Sequence, residues 1–161
     1  MIKIRKAKLS DAKQIAELEK ACFPEAEACD LKTFKERLTI FNDHFLVIDM
    51  DGCIIGVING MVTNQNRITD DLYANAFLHN EEGNYQSIFG LLVHPKYQHR
   101  GYATKLMYAM IDHAIDNKRA GLILTCKEEK ISFYEQFGYC KLGLSQSTHG
   151  NATWYDMMLK L

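Results

Sequence analysis

The chain has 161 residues with 47% hydrophobic content, the size of one ordinary domain around a single sizeable core, so one domain over residues 1–161 is expected. Nineteen Lys and Arg against twenty Asp and Glu give a net charge of -1, which leaves out the basic excess that sequence-independent nucleic-acid binding needs. The five cysteines include no Cys-x-x-Cys pair and no run approaches the roughly 18 apolar residues of a membrane span, so a metal-free, disulfide-free, cytoplasmic protein is expected.

Ile2 and Ile4 alternate with Lys3 and Arg5, the period-two pattern of a short strand. A helix is predicted from about Ser10 to Ala21, with Ser10 as N-cap, Asp11 in the first turn, and Ile15, Leu18 and Cys22 at helical spacing. After Phe23-Pro24, Asp30 caps a second helix through Leu31, Phe34, Leu38 and Phe41. Two nearly continuous apolar runs follow, Phe45 to Met50 and Cys53 to Val62, and Asp51-Gly52 between them is a type I′ turn signal. Residues 64–84 are polar and patternless, a connecting region or flap with one helical turn near Asp70 to Ala74.

Ser87 to Val93 is a further apolar strand, closed by His94-Pro95. Gly101 to Asn117 reads as an amphipathic helix whose Ala103, Leu106, Met107, Met110, Ala114 and Ile115 face one side. Leu122 to Cys126 is a strand and Ile131 to Phe137 a short helix ended by Gly138. Cys140 to Leu144 and Trp154 to Leu161 are two final strands around His149-Gly150-Asn151. The resulting order, β-α-α-β-β-β-α-β-α-β-β, implies an α/β chain with a mixed sheet and helices on its faces.

Gln98-His99-Arg100-Gly101-Tyr102-Ala103 lies between an apolar strand and an amphipathic helix. At such a junction successive backbone N–H groups lack intrahelical partners and the helix dipole is positive, so a diphosphate can be bound by main chain alone. Gly101 allows close approach and a positive φ, while Lys96, His99, Arg100 and Lys105 add local positive charge. The loop carries neither the Gly-x-x-x-x-Gly-Lys run of a nucleotide P-loop nor Gly-x-Gly-x-x-Gly.

The segment Val93 to Ala103 resembles the signature with which GNAT acetyltransferases hold the CoA pyrophosphate, Gln/Arg-x-x-Gly-x-Gly/Ala. Phe133-Tyr134-Glu135-Gln136-Phe137-Gly138-Tyr139 is similar to that family's Leu/Phe-Tyr-x-x-x-Gly-Phe, in which the tyrosine lies near the CoA sulfur. The resemblance implies the GNAT fold, a mixed, mostly antiparallel sheet of about seven strands flanked by about four helices. It also implies acetyl-CoA as cosubstrate, held by Gln98, His99, Arg100, Gly101, Tyr102, Ala103 and Thr104, with the backbone of Leu91, Leu92 and Val93 pairing with pantetheine and binding the acetyl carbonyl. A narrower likeness to the arylalkylamine N-acetyltransferase branch rests on Cys22-Phe23-Pro24-Glu25-Ala26-Glu27-Ala28 with Phe133-Tyr134-Glu135-Gln136-Phe137, and on Ser147 to Trp154, and it points to small primary amines. The partners implied are that amine and, at most, a second copy of the chain.

Acetyl transfer needs a neutral amine, a stabilised oxyanion and an acid for the departing thiolate. Tyr134 suits the last role, because a phenol of pKa near 10 stays protonated at neutral pH and can donate to a thiolate whose conjugate acid lies near 8.5. Otherwise it is a core tyrosine between Phe133 and Phe137. Ser87 and Phe89 stand where vertebrate arylalkylamine enzymes carry two histidines, so that relay is missing. Glu27 is the first replacement as base, at a place where insect relatives have a glutamate, and His149 the second. Lys127 replaces an asparagine common in the family, and Tyr73, Phe77, Tyr85 and Trp154 are candidates for an aromatic acceptor pocket. Two other readings stay open: a GNAT acting on a peptide N-terminus or lysine, and a CoA-binding regulatory module without turnover.

Overall fold

The computed structural model describes residues 1–23 and 28–161. Along the described residues the elements are β1 (Ile2–Lys6), α1 (Ala12–Cys22), α2 (Leu31–Phe41), β2 (Phe45–Met50), β3 (Cys53–Asn59), β4 (Val62–Thr63), α3 (Asp70–Ala74), β5 (Tyr85–Ile88), β6 (Gly90–Val93), α4 (Tyr102–Asp116), β7 (Gly121–Cys126), α5 (Ile131–Glu135), β8 (Cys140–Leu144) and β9 (Tyr155–Lys160). They fall into two compact units, residues 1–60 with 90–112 and residues 61–89 with 113–161.

The first unit holds an antiparallel sheet in the order β1-β2-β3-β6. Positive φ at both Asp51 (51°) and Gly52 (93°) gives the type I′ turn that the β2–β3 hairpin requires. Helices α1 and α2 pack together, and Phe34, Phe41 and Phe45 are fully buried, with Phe34 edge-on to Phe45 at 6.2 Å. The N-terminus of α1 departs from expectation. Asp11, not Ser10, closes the entry: its carboxylate accepts the Lys8 N–H at 2.8 Å across a 3-10 turn over Leu9–Asp11, and α1 begins at Ala12. Arg5 fixes that carboxylate from β1, donating to Asp11 at 2.8 Å and to Asp49 on β2 at 2.9 Å. These contacts hold both carboxyls below their ordinary value. At the start of α2, Asp30 caps as expected, accepting the Thr33 N–H at 2.9 Å.

The second unit holds a sheet in the order β4-β5-β7-β9-β8, with β5 and β7 parallel and the other pairs antiparallel. One face packs Ile68, Ile123 and Met158 against Tyr73, Tyr85 and Phe89. Residues 64–84 are more ordered in outline than their composition suggests, with α3 and a 3-10 turn over Ala76–Leu78.

The mixed, largely antiparallel architecture is the one expected, but among the described residues it is built as two sheets, and five α-helices stand where about four were predicted. Two predicted strands are each divided. The run 53–62 stops at Asn59, and Val62–Thr63 pairs with β5; the predicted strand Ser87 to Val93 begins earlier, at Tyr85, and pairs with β7 up to Ile88 and with β3 from Gly90. Apolar continuity does not show a change of partner, since both halves are buried. On α4, Leu106, Met107, Met110 and Ala114 are buried as predicted, whereas Ile115 is 52% exposed, roughly 100° around the helix from that stripe. No helix among the described residues is long and apolar enough to cross a membrane.

Candidate active site

In the first unit, β6 is an edge strand of its sheet. His94 donates its N–H to the Ile55 carbonyl at 2.8 Å, and antiparallel pairing alternates from there, so Gly90 and Leu92 turn their backbone groups to β3 while Leu91 and Val93 turn theirs outward. The Val93 carbonyl shows this directly, accepting from the Gln98 side-chain amide at 2.9 Å and from the Cys22 thiol at 3.3 Å. Leu92, grouped by sequence with Leu91 and Val93, differs from them because of the two-residue period of a strand: its polar backbone faces β3.

The loop after β6 turns through a 3-10 segment over Pro95–Tyr97, where the His94 ring accepts the Lys96 N–H at 3.1 Å. His99 (φ 63°) and Gly101 (φ 86°) are both in the left-handed region, and α4 begins at Tyr102. Among the described residues, a Cβ built at Gly101 meets no atom within 4 Å beyond its own chain neighbours, so the space in front of it is open. Arg100 lies over the Tyr97 ring at 5.6 Å and Lys105 over Tyr102 at 5.7 Å. The amides of Tyr102, Ala103 and Thr104 form the first turn of a 15-residue helix, where backbone donors and dipole favour an anion. Gln98 serves this loop from within, as a brace on β6.

A carboxyl that sequence reasoning passed over lies in the same unit. Glu19 is 5% exposed on α1, on the stripe of Ile15, Leu18 and Cys22. The Cys29 N–H donates to its carboxylate, and among the described residues its Oε2 has no hydrogen-bond partner. Burial raises its pKa to about 7 against the opposing pull of Arg37, itself buried and donating to Asn59 at 3.2 Å. The signal in the sequence was a charge on an apolar helical stripe.

In the second unit, Tyr134 sits on α5 with Phe133 edge-on at 5.1 Å and Tyr139 at 5.9 Å. As a residue it is partly exposed, and desolvation, with Cys126 and Tyr73 nearby, raises the phenol well above its ordinary value. The Cys126 thiol, at the end of β7, is likewise pushed up to about 11 by burial and Glu129. Tyr73 shares a 2.7 Å hydrogen bond with the Thr125 hydroxyl, packs on Phe89 at 4.8 Å, and stacks on His149 at 6.0 Å. His149 in turn meets Trp154 at 6.2 Å, and Trp154 donates to the His149 carbonyl at 2.9 Å under the Lys127 ammonium. The Asp70 carboxylate steadies this loop through the Ser147 hydroxyl at 2.5 Å.

Of the four aromatic residues expected to line an acceptor pocket, Tyr73 and Tyr85 pack on the same core cluster, Tyr73 is linked to Trp154 through His149, and Phe77 stands apart, 78% exposed. Ser87 is fully buried and donates to the Met61 carbonyl at 2.8 Å, so this position is structural, as is Phe89 against Tyr73. Glu27 lies outside the described residues.

A family model described as the acetyltransferase (GNAT) family matches residues 12–139. Among solved structures, the loading GNATL domain of CurA from Lyngbya majuscula is 13% identical with a TM-score of 0.86, covering 99% of this chain and 98% of that one. The GphF GNAT-like decarboxylase in complex with isobutyryl-CoA is 16% identical with a TM-score of 0.84, covering 98% of each chain. The ribosomal-protein-S18-alanine N-acetyltransferase from Escherichia coli is 18% identical with a TM-score of 0.75, covering 99% of this chain and 94% of that one. At such identities these likenesses show the fold alone.

Proposed function

Because the chain belongs to the GNAT acetyltransferase family, we propose that it moves the acetyl group of acetyl-CoA to a small primary amine by direct attack, through a tetrahedral intermediate and without a metal. The observation that carries this reading is the outward backbone of Leu91 and Val93, followed at once by a left-handed loop and an unobstructed helix N-terminus. Acetyl-CoA contains both groups such a surface suits: an amide-bearing pantetheine chain that pairs with a strand edge, and a pyrophosphate that takes helix N–H groups. The amides from His99 to Thr104 receive the pyrophosphate, the Leu91 N–H the acetyl carbonyl, and Tyr134 returns a proton to the departing sulfur. A phenol whose pKa is raised by burial stays protonated throughout the working range, as a proton donor must.

The small-amine part of the reading rests on the resemblance of residues 22–28, 133–137 and 147–154 to the arylalkylamine branch, and on the contiguous, partly exposed rings of Tyr73, His149 and Trp154. Thiol release from acetyl-CoA, measured with tryptamine, phenylethylamine, spermidine, putrescine and short peptides, tests both parts. Release with an amine and unchanged turnover in EDTA are the expected result. Release with peptides alone would move the acceptor to a protein N-terminus, and binding of CoA without any release would leave a regulatory module.

A further inference from the structure

Glu19 is a buried carboxyl with an unmet hydrogen-bond acceptor, and its position on α1 ties it to the reactive edge. Cys22 follows one turn later on the same face, since residues three apart are helical neighbours, and its thiol donates to the outward Val93 carbonyl at 3.3 Å. The face of α1 that carries Glu19 is therefore fastened to the strand edge that, on the proposed function, carries the acetyl group. Conserving stability alone does not require a carboxylate here: an apolar residue on the stripe of Ile15 and Leu18 avoids both the desolvation and the orphaned oxygen.

Resting on that proposed function, we infer that Glu19 is the proton acceptor of the transfer, taking through water the proton that the acceptor nitrogen loses. In the step the amine nitrogen forms a bond to the acetyl carbon and the carbon–sulfur bond breaks. The sulfur takes a proton from Tyr134, the nitrogen's proton passes to Glu19, and exchange with solvent deprotonates Glu19 and reprotonates Tyr134. The products are the amide and free CoA.

Among the described residues, the charged and titratable groups facing Glu19 are Arg37 from α2, Cys22 one turn on, and Cys29 beyond the loop. Strand β6 carries no titratable side chain, and that of β3, Cys53, is exposed at the end opposite Met50. Burial sets the balance, placing the group near 7, where a base is both ionised in part at working pH and strong enough to hold the proton.

The experiment compares wild type, Glu19→Gln and Glu19→Asp in thiol release with tryptamine, phenylethylamine and spermidine from about pH 6 to about 9.5. Acetyl-CoA affinity is measured on each protein by calorimetry. Glu19→Gln is expected to bind acetyl-CoA like wild type, to lose roughly a hundredfold in kcat/KM at neutral pH, and to recover most of it at the alkaline end, where free amine needs no base. Glu19→Asp should restore part of the rate with a displaced acid limb. Parallel profiles for wild type and Glu19→Gln, whether equal or uniformly lowered, overturn Glu19 as acceptor while leaving acetyl transfer in place. A wild-type protein that releases no thiol with any amine overturns the parent function and this inference with it.

Discussion

The side-chain amide of Gln98 donates to the backbone carbonyl of Val93 at 2.9 Å, so the anion loop is tied to the strand edge from which it departs. Through this bond the residue that the family signature places at the head of the loop acts on geometry: it sets how far the amides at His99 to Thr104 stand from the outward groups of Leu91 and Val93.

Replacing Gln98 by leucine should therefore loosen the loop while leaving the fold. The Val93 carbonyl keeps the Cys22 thiol, so no acceptor is orphaned, and the lost bond amounts to about 1 kcal/mol. An increase of roughly fivefold in the acetyl-CoA dissociation constant is expected by calorimetry, as that energy implies. An unchanged constant would show that the brace does not shape the loop.

At Gly101 the conformational and steric costs separate. Its φ of 86° disfavours any side chain, but a Cβ there touches no protein atom. Gly101→Ala should cost about 1 kcal/mol of stability from the left-handed backbone. Gly101→Glu should cost a similar amount in a melting experiment yet abolish CoA binding, because the carboxylate occupies the anion's place. Retained affinity in Gly101→Glu would move the pyrophosphate elsewhere.

For Tyr134 the test is the loss of one hydroxyl from a ring that Phe133 and Tyr139 continue to hold edge-on. Tyr134→Phe should leave the CoA dissociation constant within a few fold and lower kcat by roughly ten to ten-thousand fold. Turnover equal to wild type in a single-turnover experiment, which removes product release from view, would return Tyr134 to the core.

The places of Gln98, Gly101 and Tyr134 in the fold were legible in the sequence because each is local: a glycine loop between a strand end and a helix N-terminus, and a tyrosine on a short helix followed by a glycine. What sequence did not show depends on pairing and depth. The outward turn of Leu91 and Val93, and the inward turn of Leu92, follow from the ladder that His94 makes with Ile55, which no pattern within the predicted strand Ser87 to Val93 reports. The division of that run at Phe89 escaped for the same reason. Asp11 displaced Ser10 as the cap because Arg5 and Lys8 both reach it, a contact of three segments rather than a preference of one. Glu19 was in view on the stripe of Ile15, Leu18 and Cys22, and only burial showed that the charge was not on the solvent face.

Glu19 also makes stability depend on pH, apart from any catalytic role. Burial raises the folded-state pKa to about 7 from an ordinary 4.5, so the folded protein holds this proton more tightly than the unfolded chain does. Stability from protonation is then fully present below about pH 4.5 and is lost as pH rises through about 7, a change of roughly 3 kcal/mol for such a shift. Asp156, buried on β9 with its pKa also raised mainly by desolvation, adds to the same trend. Asp11 acts in the other direction: Arg5 lowers its pKa, and the stability it contributes disappears as pH falls below the ordinary carboxylate range. Wild type should accordingly be most resistant to urea in mildly acid solution and weaken towards pH 8. In Glu19→Gln the alkaline decline should shrink, so that the variant matches wild type near pH 5 and exceeds it near pH 8, less whatever the amide loses in attraction to Arg37. Urea unfolding at about pH 5, 6, 7 and 8 on both proteins measures the difference. A difference independent of pH would mean that Glu19 ionises like an exposed carboxylate, and that the α1 stripe admits more water than its 5% exposure indicates.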